Sequence, residues 1–203
     1  MKPPPTLVEM IENADPFDLH PQYDGQKVVG IDPGSHGALA LVGIGRGWPL
    51  FEAVDMPIRD RGKSVTNNVL DGKALGMLLR RWAPTLVVVE DVQPMPSRPE
   101  SEDDERRSMP ARTAFTFGGF CLGTVAVCEA LGLDVVTVRP AQWKKAAGLT
   151  RVGDRTRSNV KAESLAVARS LWPGGPFDRV RDENKAEAAL IARFGAASQM
   201  KFF

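Results

Sequence analysis

Acidic side chains stand at the ends of short apolar runs in this 203-residue chain: Asp32 closes VVGID, Glu90 closes LVVVE, and Asp182, Glu183 and Glu187 lie around the start of ENKAEAALIA. A carboxylate at the rim of a buried sheet can face others across it, and a group of them is stable only where a cation offsets their repulsion. Hard oxygen donors of this kind suit magnesium, or manganese in its place. Two such ions about 4 Å apart can activate a water and stabilise the leaving oxygen of a phosphodiester, so these residues point to hydrolysis of a nucleic-acid backbone. Glu183 and Glu187 are one helical turn apart and can share a face, while Asp182 stands just before that helix, where it could cap it or bind metal. Each acid taken alone also has a plainer role. Asp32 opens an Asp-Pro-Gly turn, and Glu90 could be a solvated strand end.

Positive charge is spread unevenly, although the net charge is only +1. Arg139, Lys144, Lys145, Arg151, Arg155, Arg157 and Lys161 follow one another with Asp154 as the single acid among them. Such a strip can face phosphates, or it can be the solvated side of a helix and its loop. Upstream, Arg112, Phe115 and Phe117 follow a long polar segment and are further candidates for contact with DNA. An aromatic ring there can stack on an unpaired base or sit in the core, as Phe120 is expected to do. Trp82, Trp143 and Trp172 are expected as core anchors, and His36 as a turn residue near the acids. Gly118, Gly119 and Gly123 lack the Lys and Ser or Thr of a nucleotide-binding loop, and close packing of their helix on a neighbour explains them better.

The elements that must position these side chains follow from the pattern of apolar residues. Residues 1–26, rich in Pro, Asp and Asn, read as a poorly ordered extension, and the domain occupies 27–203. Strands are expected at 27–32, 37–45 and 50–56, then a helix from about Leu70 to Ala83 that Pro84 stops, and a central strand at 86–89. The segment 93–112 carries four prolines and the acidic run 100–105, too polar and broken to pack. A helix over 113–131, a strand at 134–138, and helices at 140–147, 157–171 and 184–197 complete the order. This is an α/β pattern: a mixed five-stranded sheet, three antiparallel strands followed by parallel additions, flanked by helices. If its first and fourth strands are neighbours, Asp32 and Glu90 reach the same end, and the last helix has only to cross that end.

Composition excludes several classes. Uninterrupted apolar runs fall far short of a membrane span, and the first residues carry neither the basic start nor the apolar centre of a signal peptide, so a cytoplasmic protein is expected. Cys121 and Cys128, seven apart on one helix, are too distant to bridge and are expected as reduced core thiols. With two Cys and two His far apart, no zinc-ligand spacing exists.

Taken in order, VVGIDPGSHGALALV, VVVEDV, TFGGFCLG, VRPAQWKK and ENKAEAALIA resemble a RuvC-type Holliday-junction resolvase of the RNase H-like superfamily, over about residues 28–197. The resemblance implies a homodimeric, magnesium-dependent endonuclease that nicks four-way DNA junctions symmetrically, in a bacterial or phage-infected cell. By motif position it implies Asp32, Glu90 and Glu187 as metal ligands and Lys144 as a basic residue aimed at the scissile phosphate. Family members carry Asp or His shortly before the last acid, and this chain offers Asp182, Glu183 and Asn184 there, so Asp182 and Glu183 both stand as candidates for the additional ligand. Two rivals remain: a module that binds branched DNA without cutting it, and a phosphotransferase of the actin and sugar-kinase type. The second normally needs two such domains and another Asp-Gly hairpin, which this sequence lacks.

Overall fold

The structure, a computed structural model, describes residues 26–44, 49–59, 68–91, 111–149 and 157–199. The basic residues Arg151 and Arg155, most of the loop 93–112 and the extension before Gln26 lie outside these, as do the side chains of Arg112 and Arg157. Three strands, β1 (Lys27–Asp32), β2 (Ala38–Gly43) and β3 (Leu50–Asp55), form an antiparallel meander. Next come a two-residue pair, β4 (Ile58–Arg59) and β5 (Val69–Leu70), and helix α1 (Gly72–Trp82). Then follow β6 (Leu86–Glu90), α2 (Ala111–Ala130), β7 (Val135–Val138), α3 (Pro140–Ala146), α4 (Arg157–Leu171), a 3-10 turn (Val180–Asp182) and α5 (Glu183–Gln199). The main sheet has the order β3-β2-β1-β6-β7, with β6 parallel to both β1 and β7. It is the mixed five-stranded sheet expected, with β1 beside β6.

Strand residues alternate between two cores. Val28, Ala38, Ala40, Leu86, Val88 and Val138 pack under α3, α4 and α5. Val29, Ile31, Leu39, Leu41, Val87 and Val89 pack under α1 and α2. Cover on both sides explains why the central strands are nearly continuous apolar runs. Local chemistry sets the element ends: the Asp71 carboxylate caps α1 by accepting from the Lys73 and Ala74 amides, both at 3.1 Å, and Ala83 leaves the helix in a left-handed conformation (φ 45°) before Pro84.

Helix α5 lies unusually close to the sheet. A Cβ on Gly30 would come within 2.1 Å of the Ala188 carbonyl oxygen, and one on Gly195 within 2.2 Å of Val88 Cγ2. Only glycines and the small residues Ala188, Ala189, Ala192 and Ala196 permit this approach. Because residues 188–192 meet Gly30 while Gly195 meets Val88 and Val28, α5 runs opposite to β1, and its first turn overlies the end of the sheet where Asp32 and Glu90 emerge.

Several expectations need correction. The β4–β5 pair was hidden in a polar stretch because two residues are too few to show a period. Among the described residues nothing lies within 4 Å of a Cβ built on Gly118 or Gly119, so packing among these residues does not require them, whereas Gly123 does approach Leu70 at 3.0 Å. Cys128 is buried as expected but Cys121 is only half-buried. Thr113–Ala130 is long and apolar enough, by length and composition, to cross a membrane. Counting uninterrupted apolar runs missed it because Thr and Gly dilute its sequence. Here Phe120, Thr124 and Cys128 are buried on one side of that helix while Phe115 and Leu122 point outward.

Candidate active site

The site begins with strand register. Ile31 pairs with Val89 in parallel, so one step further Asp32 and Glu90 are neighbours at the same strand end, about 4.8 Å apart in the hydrogen-bonding direction. Side chains alternate, and Asp32 shares a face with Val28 and Gly30, as Glu90 does with Leu86 and Val88, so both acids point to the α5 side. Immediately after Asp32 the chain turns back. The Gly37 amide donates to the Gly34 carbonyl at 3.0 Å, and a Cβ on Gly37 would strike the Asp32 carbonyl oxygen at 2.0 Å. The turn therefore both ends β1 and fixes the strand geometry beneath its acid.

From the facing helix comes Glu187, buried with its Oε1 accepting from Ser164 Oγ of α4 at 3.2 Å and lying 3.8 Å from Lys144 Nζ of α3. Glu90 is also buried and accepts a 2.7 Å hydrogen bond from the Trp143 indole N–H. Burial raises the Asp32 pKa well above the ordinary carboxylate range, and the charges of Glu90 and Glu187 raise it further, against Lys161 and Lys144. Burial likewise raises Glu90, opposed by the indole hydrogen bond and the two lysines and assisted by Glu187. Three acids from two strands and a helix thus repel one another at one end of the sheet, and two ammonium groups offset part of that charge.

The remaining candidates distribute themselves around this centre. Glu183 faces Lys161 at 4.0 Å at its edge. Asp182 is drawn elsewhere: Arg179 binds it at 2.7 Å and holds its carboxyl down at about 2, with Lys185 at 3.6 Å. Lys144 stands 4.9 Å over the Trp143 ring, while Lys145 is exposed on α3. Phe115 is 84% exposed, and Phe117 packs near the turn at Gly34.

Sequence reasoning missed three contributors. Asn184, three residues before Glu187, donates through its amide to the His36 carbonyl in the β1–β2 turn and accepts from Lys161 Nζ at 2.8 Å. It binds α5 to the turn that carries Asp32, and its i−3 spacing to Glu187 was the available signal. Ser164 and Trp143 act from elements 23 and 53 residues away from their partners, and no local pattern marks them. Cys121 also lies close enough for Asp91, Asp32 and Glu90 to add to the effect of burial, which pushes its thiol up to about 11.

The donor set fits magnesium in its chemistry, being all oxygen and mutually repulsive, and the residues placed to hold an ion are Asp32, Glu90 and Glu187. Among the described residues no three His, Cys, Asp or Glu side chains stand close enough to share one ion in the arrangement seen. The cluster is a set of facing acids and not a closed coordination sphere.

No protein-family model and no curated protein matches the chain. Among solved structures, Thermus thermophilus RuvC in complex with Holliday junction substrate superposes with a TM-score of 0.55 at 20% identity, covering 87% of this chain and 96% of RuvC. This chain has the RuvC fold. Another Thermus thermophilus RuvC structure gives the same TM-score of 0.55 and 20% identity, over 87% of this chain and 97% of the other. The fowlpox virus Holliday junction resolvase follows with a TM-score of 0.51 at 12% identity, covering 85% and 99% of the two chains. At such identities the likeness lies in the fold alone, over 85% to 87% of this chain.

Proposed function

We propose that this protein is a structure-selective, metal-dependent DNA endonuclease that resolves four-way junctions by symmetric nicking, in the cytoplasm of a bacterial or phage-infected cell. The observation that carries this reading is the meeting of Asp32, Glu90 and Glu187 at one end of the sheet, each acid within electrostatic reach of another. When bound by these carboxylates, magnesium or manganese supplies Lewis-acid activation of water and stabilisation of the leaving oxygen. The protein's own groups do the rest. Lys144, beside Glu187, is the group we assign to the scissile phosphate. Lys161 and Lys145 extend positive charge from the cleft along α4 and α3, where phosphates give affinity and junction shape gives selectivity. Phe115 offers a free ring for stacking on an unpaired base.

Symmetric nicking needs two active sites, and a second copy of the chain would provide the other. The outward apolar side of α2, with Leu122 75% exposed and Gly118 and Gly119 open, is the surface we assign to that contact. A rival reading, a module that binds branched DNA without cutting, draws on the pairing of Lys144 with Glu187 and the open arrangement of the acids. One assay separates them: magnesium-dependent nicking of a synthetic four-way junction against a linear duplex of the same sequence. Asp32→Asn should abolish nicking and leave junction binding intact. Full cleavage by that variant, or none by the native chain in magnesium or manganese, would sink the assignment.

A further inference from the structure

One side chain that touches this centre is neither an acid nor a base. Helix α3 starts directly after β7, with Pro140 in its first turn and the Gln142 side chain accepting from the Arg139 amide at 3.0 Å. Since Val138 pairs with Glu90, a helix starting there must lay its first turn against that acid. Trp143 fills the position. It is fully buried; its indole edge donates to Glu90 Oε1 at 2.7 Å, and its ring face lies 4.9 Å from the Lys144 ammonium. That ammonium is in turn 3.8 Å from Glu187.

We propose that Trp143 is the positioning residue of this centre, its N–H fixing the Glu90 carboxylate for a divalent cation while its ring holds Lys144 beside Glu187. The proposal rests on the reading of Glu90 as a metal ligand. An indole carries one donor and no acceptor, so it can bind one carboxylate oxygen and leaves the other oxygen available. Hydrogen bonds from outside a metal site orient its ligands, and losing one typically weakens metal binding by about ten- to a hundredfold. Trp143→Phe removes the N–H and keeps a ring for Lys144, so it isolates the contact to Glu90.

The test is calorimetric titration of the full chain with magnesium, for the native protein, Trp143→Phe and Glu90→Gln, alongside junction affinity in chelator. We expect Trp143→Phe to weaken magnesium by about ten- to a hundredfold, Glu90→Gln to weaken it at least as much, and junction affinity to stay the same. Unchanged magnesium affinity in Trp143→Phe, with Glu90→Gln impaired, overturns the positioning role and leaves the metal reading standing. No magnesium binding by the native chain overturns both. Should the Phe variant fail to fold, the native protein carries the test through the Trp143 indole N–H resonance. Magnesium should shift that resonance in the native chain and not in Glu90→Gln; a resonance that stays fixed while magnesium binds overturns the proposal.

Discussion

Asp32 is held in an environment that resists its ionisation, and this has a measurable sign. Its folded pKa lies well above the ordinary value, through burial first and then the charges of Glu90 and Glu187. Between an unfolded value of about 4 and that raised value the folded chain binds more protons than the unfolded one. Stability therefore falls as pH rises through this window, and the loss is complete above the folded pKa. Thermal melts in chelator should show a melting temperature that declines as pH rises above about 4, and Asp32→Asn should reduce the decline, leaving the part that Glu90 contributes in the same sense. A slope unaffected by that change would remove Asp32 from the repulsive group. Asp182 acts in the opposite sense, but its pKa of about 2 places its effect at lower pH, below the window. Residues of this scale were legible in part. Asp32 and Glu90 each end a recognisable strand and Glu187 lies one turn into a recognisable helix, whereas Asn184 is an amide in a place where an acid was sought, and its partner His36 contributes only a backbone carbonyl.

At the scale of elements, the separation of helix from sheet sets the separation of the acids. Gly30→Ala would drive a methyl into the backbone of α5, meeting Ala188 O at 2.1 Å and Ala192 N at 2.3 Å. Backbone cannot swing aside as a side chain does, so the change should cost about 3 kcal/mol and shift Glu187 away from the strand acids. Denaturant unfolding would measure the first effect and magnesium titration the second; a variant with native values for both would mean that α5 does not set the spacing. Most elements could be read beforehand because each is bounded by chemistry the sequence displays: Asp-Pro-Gly after β1, Pro84 before β6, Pro140 at the start of α3. What escaped was either too short, as with β4 and β5, or built from contacts between elements, as with the indole that reaches Glu90. The pairing of β1 with β6 and the crossing of α5 were long-range features open to inference, because acids at two strand ends and one helix start can meet only in that arrangement.

For the molecule as a whole, the proposed function joins the acids to the exposed side of α2: two symmetric cuts would require two copies of the site in fixed relation. Leu122→Glu, a charge on the outward side of α2, should halve the mass seen by analytical ultracentrifugation and turn paired nicks into single ones, while the melting temperature of the separated chain stays near that of the native protein. A native chain already monomeric at micromolar concentration would remove α2 from the assembly.

The direction in which the chain enters the sheet has a practical outcome. Lys27 opens β1 and Asp32 closes it, five steps of roughly 3.3 Å or about 17 Å apart, and α5 travels back toward the Lys27 end. A fluorophore attached at Lys27 itself would therefore sit at the end of β1 away from Asp32, where it can report on the fold without touching the acids.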